Sequence, residues 1–170
     1  MKNLIVFLVL VAAESCMAVE DCSHEAIGIE PSSTEIEKLF YTGTCHYRNE
    51  NYPLAVENWE HIAHLDIAGA DDEGLKVDVL NNLGYMKFFG YGIKEDKAGA
   101  LSYWRQAILL GHYESEYHLC HAYADNEQPT FDAAKGRKHC EKARLIYKGK
   151  DDSDPEILEQ IDYYLEKISK

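Results

Sequence analysis

Basic side chains are scarce in this sequence. Lysine and arginine together number 17, against 30 aspartates and glutamates, which gives a formal net charge of −13. Nucleic acids and anionic membrane surfaces need a basic face, so this balance argues against both as partners. A basic protein partner would suit the charge, although an acidic surface that only contacts water explains it equally well.

Known catalytic signatures are also missing. The sequence has no Gly-x-Ser-x-Gly elbow, no phosphate-binding glycine loop and no His-Glu-x-x-His motif. Acidic pairs occur throughout such an acidic chain, so none of them marks general acid–base catalysis. We therefore predict a protein that has no catalytic activity and no cofactor of its own.

The apolar run near the start is short. It covers residues 4–13, whereas crossing a bilayer takes about 20 residues. It follows Lys2 and precedes the small-x-small site Cys16-Met17-Ala18, so residues 1–18 have the pattern of a signal peptide. Lipidation of Cys16 is the alternative, which the charged Glu14 disfavours. We expect an exported protein in a bacterial periplasm, with secretion from the cell as the second option.

Residues 80–111 carry the pattern around which the rest of the chain is organised. Leu80, Leu83 and Met86 recur at helical spacing, and a second periodic segment follows the Gly90-x-Gly92 corner. Two helices joined by such a corner lie antiparallel, as an αα-hairpin. One hairpin cannot bury both of its apolar faces, so it needs stacked neighbours.

These residues resemble one Sel-one-like repeat, the 36-residue relative of the tetratricopeptide repeat. The resemblance rests on Leu83-Gly84-x-Met86, Gly90-x-Gly92-Ile93, Asp96, Ala100, Tyr103-Trp104, Ala107 and Gly111. Lys87 stands where the family usually has an aromatic residue, and Tyr103-Trp104 reverses the usual order. The resemblance implies an all-α solenoid of αα-hairpins whose concave face binds a partner.

On this basis the chain divides into a strap, three hairpins and a capping helix. The predicted segments are a lead-in strap at 19–33 and a repeat domain at 34–170, with hairpins at about 34–66, 76–111 and 113–148 and a capping helix at 154–169. Ser32-x-x-Glu35 has the pattern of a capping box that opens the first helix. Asp154-Pro155-Glu156 provides a cap, a proline and an acid for the start of the last helix.

Four cysteines remain after removal of the signal peptide, and an even number in an exported chain favours two disulfides. Four cysteines allow three connectivities. A shift of 36 residues, which carries Asp96 onto Asp132, also carries Gly84 onto Cys120 and Trp104 onto Cys140. These two cysteines then face each other across one hairpin, so we favour Cys120–Cys140, which leaves Cys22–Cys45.

Two histidine pairs raise the alternative of a zinc site. His61-x-x-His64 and His118-x-x-His121 each place two imidazoles on one helix face, and His139 precedes Cys140. An oxidising compartment favours a disulfide over metal-binding thiols, so we predict no metal site and interpret these histidines as surface or groove residues.

The resemblance also selects residues for partner binding, because it implies which helix faces point inward. The predicted partner-binding residues are Phe40, Tyr41, Tyr47, Arg48, Asn81, Asn82, Tyr85, Phe88, Phe89, Tyr117, His118 and His121. Capture of a C-terminal carboxylate is not expected, because Arg48 and Lys87 are the only inward cations.

The expected function is therefore binding of a protein partner, and the resemblance allows two roles. One is an adaptor or regulator of envelope processes. The other is an immunity protein that neutralises a type VI secretion toxin, as small exported members of the family do. The enzyme alternative is penicillin binding or β-lactam hydrolysis, linked to cysteine-rich relatives, although no suitable arrangement of serine, lysine and base is recognisable here.

Overall fold

The computed structural model describes residues 19–66, 70–150 and 154–169. The regular structure in these ranges is entirely helical, so the all-α prediction is confirmed. The helices are α1 (Glu35–Arg48), α2 (Tyr52–His64), α3 (Ala70–Phe89), α4 (Lys97–Leu109), α5 (Ser115–Ala124), α6 (Ala133–Lys148) and α7 (Pro155–Lys167). The predicted signal peptide lies outside the described residues.

The first six helices pack mainly as consecutive pairs. The pairs α1/α2, α3/α4 and α5/α6 have the most extensive contacts, and α7 packs on α5 and α6. Smaller contacts join α2 to α3, α4 to α5 and α1 to α3. The result is a row of three helical hairpins that ends in a single helix.

The first helix begins at a different capping box from the expected one. Thr34 is the N-cap residue: its hydroxyl accepts from the Glu37 amide at 3.1 Å, and Glu37 accepts from the Thr34 amide at 2.7 Å. The prediction that Ser32 and Glu35 form this capping box was wrong by two residues. The amide of Ser33 is already bonded to the carbonyl of Glu30 in a turn, so the chain is not yet helical at that point.

The corners of the second and third hairpins have the same hydrogen bonds 36 residues apart. The Asp96 amide donates to the Lys87 carbonyl, and the Asp132 amide donates to the Tyr123 carbonyl, both at 2.9 Å. Both aspartates then cap the following helix with their side chains. Local backbone geometry therefore repeats between these hairpins, as the 36-residue shift predicts for their corners.

Small residues let the paired helices approach closely. Gly43 faces the indole of Trp59 and Gly84 faces that of Trp104, and a β-carbon at either glycine would overlap the ring. In the third hairpin the Cys120–Cys140 disulfide occupies the corresponding positions. The second disulfide, Cys22–Cys45, joins the strap to α1. The structure thus has the pairing that the sequence favours.

The core consists of three clusters along the row. The first contains Trp59, Ile62 and Leu83, and the second centres on Phe88, Trp104 and Leu119. The third surrounds the Cys120–Cys140 disulfide with residues of α6 and α7, such as Ile161. Among the described residues, no helix is long and apolar enough to span a membrane.

Candidate functional site

A cleft of about 500 Å³ opens between α1, α3 and α5, with one side chain of α2 in its wall. We call it the central cleft. It is lined by Phe40, Thr44, Tyr47, Arg48, Trp59, Asn81, Asn82, Tyr85, Met86 and His118. Its position follows from the packing of the hairpins, because the first helix of each hairpin contributes one side of it.

Aromatic rings form much of the wall. Tyr47 packs on Trp59 with ring centroids 5.7 Å apart, and Tyr85 contacts His118 at 6.1 Å. Burial, followed by the charges of nearby tyrosines, raises the pKa of Tyr85, so its hydroxyl stays protonated at neutral pH. Rings of this kind present a large and rather rigid contact area, which is typical of protein interfaces.

The polar side chains of the cleft include two amides, a threonine hydroxyl and one arginine. Asn81 is held in place, because its side-chain oxygen accepts from the Ser115 hydroxyl at 2.8 Å and its carbonyl accepts from the Trp104 indole. Arg48 lies near Glu20 of the strap, at 3.9 Å, with an exposed side chain. An exposed pair at that distance is weak, so the guanidinium can bind other groups.

Among the residues that the structure describes, no aspartate or glutamate lines the central cleft. This is notable in a chain with a net charge of −13. The carboxylates therefore lie elsewhere, and the cleft itself is neutral to slightly basic. The cleft therefore does not present the negative surface expected from the composition.

The indole N–H of Trp59 is buried and has no hydrogen-bond acceptor in the described part of the chain. The corresponding Trp104 donates to the carbonyl of Asn81 at 3.1 Å. The equivalent carbonyl in the first hairpin is that of Phe40, which accepts from the Thr44 hydroxyl at 2.8 Å instead. A buried donor without a partner costs free energy, so a ligand acceptor that reached it would remove this cost.

His118 lies at the far side of the cleft as a neutral ring. It stacks on Trp104 with centroids 5.0 Å apart. Burial, and then the nearby His121 and His112, lower its pKa to about 4. The ring therefore contributes an uncharged aromatic surface to the cleft at neutral pH.

The other histidines do not converge with it on a metal site. His121 stacks on Tyr164 at 5.5 Å and lies 3.9 Å from Asp125. No group of three or more histidine, cysteine or acidic side chains within the described ranges could hold a metal ion. Cys120 and Cys140, which the zinc alternative would have used, are joined in a disulfide.

The structure brings together seven of the twelve predicted partner-binding residues in the central cleft. These are Phe40, Tyr47, Arg48, Asn81, Asn82, Tyr85 and His118. Phe89 and His121 lie next to it, in ring contact with each other at 6.2 Å. Tyr117 contacts Tyr147, and Tyr41 is exposed beside Phe40. Phe88 is fully buried in the core, so its side chain supports the surface from below.

Three residues of the cleft were not among those predicted. Thr44 follows Phe40 by one helical turn and precedes Arg48 by another, so its spacing alone could have placed it on this face. Trp59 and Met86 fit the pattern of core residues, which they also are, with 2% and 1% of their surface exposed. No sequence signal distinguishes a core tryptophan from one whose edge borders a cleft.

We find no match for this chain among protein-family models, curated proteins or solved structures. The resemblance to Sel-one-like repeats therefore stays a prediction, and the geometry of the cleft carries the functional argument.

Proposed function

We propose that this chain is an exported binding protein, a row of Sel-one-like hairpins whose central cleft holds a segment of a protein partner. The cleft carries this proposal. It combines aromatic rings, amide donors and Arg48 in one concavity, and it borders a buried indole N–H that has no acceptor among the described residues. Aromatic and arginine side chains around a desolvated pocket are the usual energetic centre of a protein interface.

Two further observations support the proposal. The two disulfides fit a chain that folds in an oxidising compartment such as the periplasm. The corners that repeat after 36 residues support related hairpins arranged as in a solenoid, whose inner surface is the usual binding face. An envelope adaptor and an immunity protein would both bind their partner on such a face, and the two roles differ in which partner is bound.

The distribution of charge bears on the immunity role. An acidic inhibitor would cover a basic active-site rim of a toxin, and here the acids lie outside the cleft. An immunity protein of this design would therefore hold an apolar segment in the cleft and use the surrounding carboxylates for long-range attraction. Recovery of a secreted toxin as the partner would separate this role from that of an adaptor.

Site-specific photocrosslinking tests the proposal. A photoreactive amino acid at Asn82, within the cleft, is compared with one at Gln106, which is exposed on α4. We expect a protein from the envelope extract to be captured at position 82 and not at 106. The captured protein is then purified and its affinity measured directly.

The same two positions provide matched blocking variants. Asn82→Arg places a large side chain in the cleft, and Gln106→Arg makes a comparable exposed change on another helix. We expect the first to weaken binding of the captured protein by at least about tenfold, or roughly 1.4 kcal/mol, and the second to leave it unchanged. Equal affinities for the two variants would contradict the assignment of the cleft.

A further inference from the structure

The hydrogen-bonding groups of the central cleft are unbalanced toward donors. The Arg48 guanidinium and the buried Trp59 indole N–H donate only, whereas the Thr44 hydroxyl already donates within α1 and is left as an acceptor. The side-chain oxygen of Asn81 already accepts from Ser115, so its amide nitrogen is the part left for a ligand. Since none of the described lining residues carries a carboxylate, the groups of the cleft are matched best by a ligand with many acceptors and few donors.

The mouth of the cleft is bordered by a group of tyrosines in ring contact. Tyr47 contacts Tyr52 at 5.6 Å, Tyr52 contacts Tyr91 at 5.5 Å, and Tyr91 contacts Tyr85 at 6.0 Å. We call these four residues the tyrosine rim. Tyr47 and Tyr91 are exposed. Flat rings around a groove are the surfaces against which prolyl rings pack in proteins that bind polyproline II segments.

Charge narrows the choice of ligand further. A net charge of −13 repels an anionic segment at long range. A cationic segment finds no carboxylate to pair with among the described residues that line the cleft. These two considerations favour a neutral segment.

An ordinary neutral peptide brings one backbone N–H for every residue, and a cleft rich in donors leaves many of these without an acceptor. Proline has no N–H and keeps its carbonyl. In the polyproline II conformation the backbone forms no internal hydrogen bonds, so its carbonyls are available to an outside donor.

We propose that the central cleft binds a neutral, proline-rich segment of the partner in an extended conformation. The prolyl rings pack against the tyrosine rim, and the backbone carbonyls accept from the donors at the surface of the cleft, such as the Asn82 amide and the Arg48 guanidinium. This inference rests on the proposed function and names the chemistry of the segment that the cleft takes.

Calorimetric titration of the disulfide-bonded protein with four capped nonapeptides tests the inference. In the first peptide proline alternates with leucine, and in the second alanine replaces every proline. The third and fourth keep the prolines and carry glutamate or lysine in place of leucine. We expect the first peptide to bind at least about tenfold more tightly than each of the others, because it alone is neutral, apolar and poor in donors.

A pair of variants with the same change in charge tests the role of the donors. Asn82→Asp replaces an amide donor in the cleft by an acceptor of the same size, and Asn126→Asp makes this change at the exposed corner after α5. We expect the first to weaken binding of the proline peptide about tenfold and the second to leave it unchanged. Circular dichroism and thermal unfolding establish that both variants are folded.

Equal affinity for the proline and alanine peptides, or no binding of either, would overturn the inference. In that case the blocking variants at positions 82 and 106 decide the larger question separately. If Asn82→Arg still weakens binding of the captured protein, the cleft is a binding site for a segment of different chemistry and the proposed function stands.

Discussion

Gly84 lies directly against the indole of Trp104, so close that a β-carbon at this position would overlap the ring. The contact brings α3 and α4 together and lets the indole N–H reach the carbonyl of Asn81 on the preceding turn of α3. Gly43 packs against the indole of Trp59 in the same way in the first hairpin. Asn81 lines the central cleft, so this packing also determines the position of one of its walls.

Replacement of Gly84 by alanine should therefore destabilise the protein. The added methyl group must displace a fully buried ring, and overpacking of this kind costs about 1–3 kcal/mol. Gly74→Ala is the matched control in the same helix, because a β-carbon there meets no atom within 4 Å. The control should be stabilised by about 0.5–1 kcal/mol through its higher helix propensity. Urea unfolding measures the stability of both variants. Equal effects of the two substitutions would show that the contact between Gly84 and Trp104 does not limit the size of the residue at position 84.

The two disulfides should differ in their effect on stability. Cys120 and Cys140 are fully buried between α5 and α6, and the double substitution to alanine should lower the free energy of unfolding by about 3 kcal/mol. Cys22–Cys45 anchors a strap whose described residues are exposed or half-buried. Its removal should free the strap for proteolysis and change the melting temperature of the helices little. The reverse order of effects would contradict this description of the core.

His118 should make stability depend on pH between 6.5 and about 4. The unfolded chain binds a proton on this residue as pH falls below 6.5, whereas burial keeps the folded state neutral until about pH 4. Stability should therefore fall by about 3 kcal/mol across this window as the solution is acidified. His118→Phe keeps an aromatic ring against Trp104 and removes the titration. Unfolding curves at several pH values should show a shallower decline for this variant, and parallel declines would contradict the assignment.

Glu116 should stabilise the third hairpin through a buried ionic cluster. It accepts from His139 at 2.5 Å and from Lys142 at 3.1 Å, both on α6. Burial alone would raise the pKa of this carboxyl group, but the hydrogen bonds and the charges of His139 and Lys142 together outweigh it and lower the pKa. Glu116→Gln should cost about 2 kcal/mol at neutral pH, because the bonds then no longer involve an ionised acceptor.

The pH dependence of the stability lost in Glu116→Gln shows whether the loss comes from the charge of Glu116 or from its packing. A lowered pKa means that the contribution of Glu116 is complete above the unfolded value of about 4.5 and is lost as pH falls through the folded value. The difference between wild type and Glu116→Gln should therefore disappear in acid. Glu141→Gln, an exposed change on α6, should have no effect at either pH. A difference that persists in acid would assign the loss to packing instead.

The helices and their pairing were predictable because their signals are local. The caps at Asp96 and Asp132, the corner glycines and the apolar spacing all lie within one hairpin. The start of α1 was misplaced because two overlapping segments, beginning at Ser32 and at Thr34, both fit the capping-box pattern. The turn at Glu30, which decides between them, has no comparably clear signature in the sequence.

The cleft was only partly predictable, because its depth depends on contacts between hairpins. Phe88 and Phe89 are adjacent in the sequence, and a rotation of about 100° per residue turns one into the core and leaves the other exposed. The Thr44 hydroxyl donates to the Phe40 carbonyl, and the N–H of Trp59 has no acceptor among the described residues, and no sequence pattern signals either fact. The burial of Glu116 likewise depends on side chains of α6 that follow it by more than 20 residues.

The two tryptophans of the chain allow a direct test of whether the cleft holds a segment of the partner. Their indole N–H groups give two separate signals in a nitrogen–proton NMR spectrum, and substitution of each by phenylalanine assigns them. The N–H of Trp59, at the border of the cleft, has no acceptor in the described ranges, whereas that of Trp104 donates to the carbonyl of Asn81. On addition of the purified partner, we predict that the Trp59 signal moves strongly and the Trp104 signal moves much less. A bound complex in which the Trp59 signal stays in place would contradict the account.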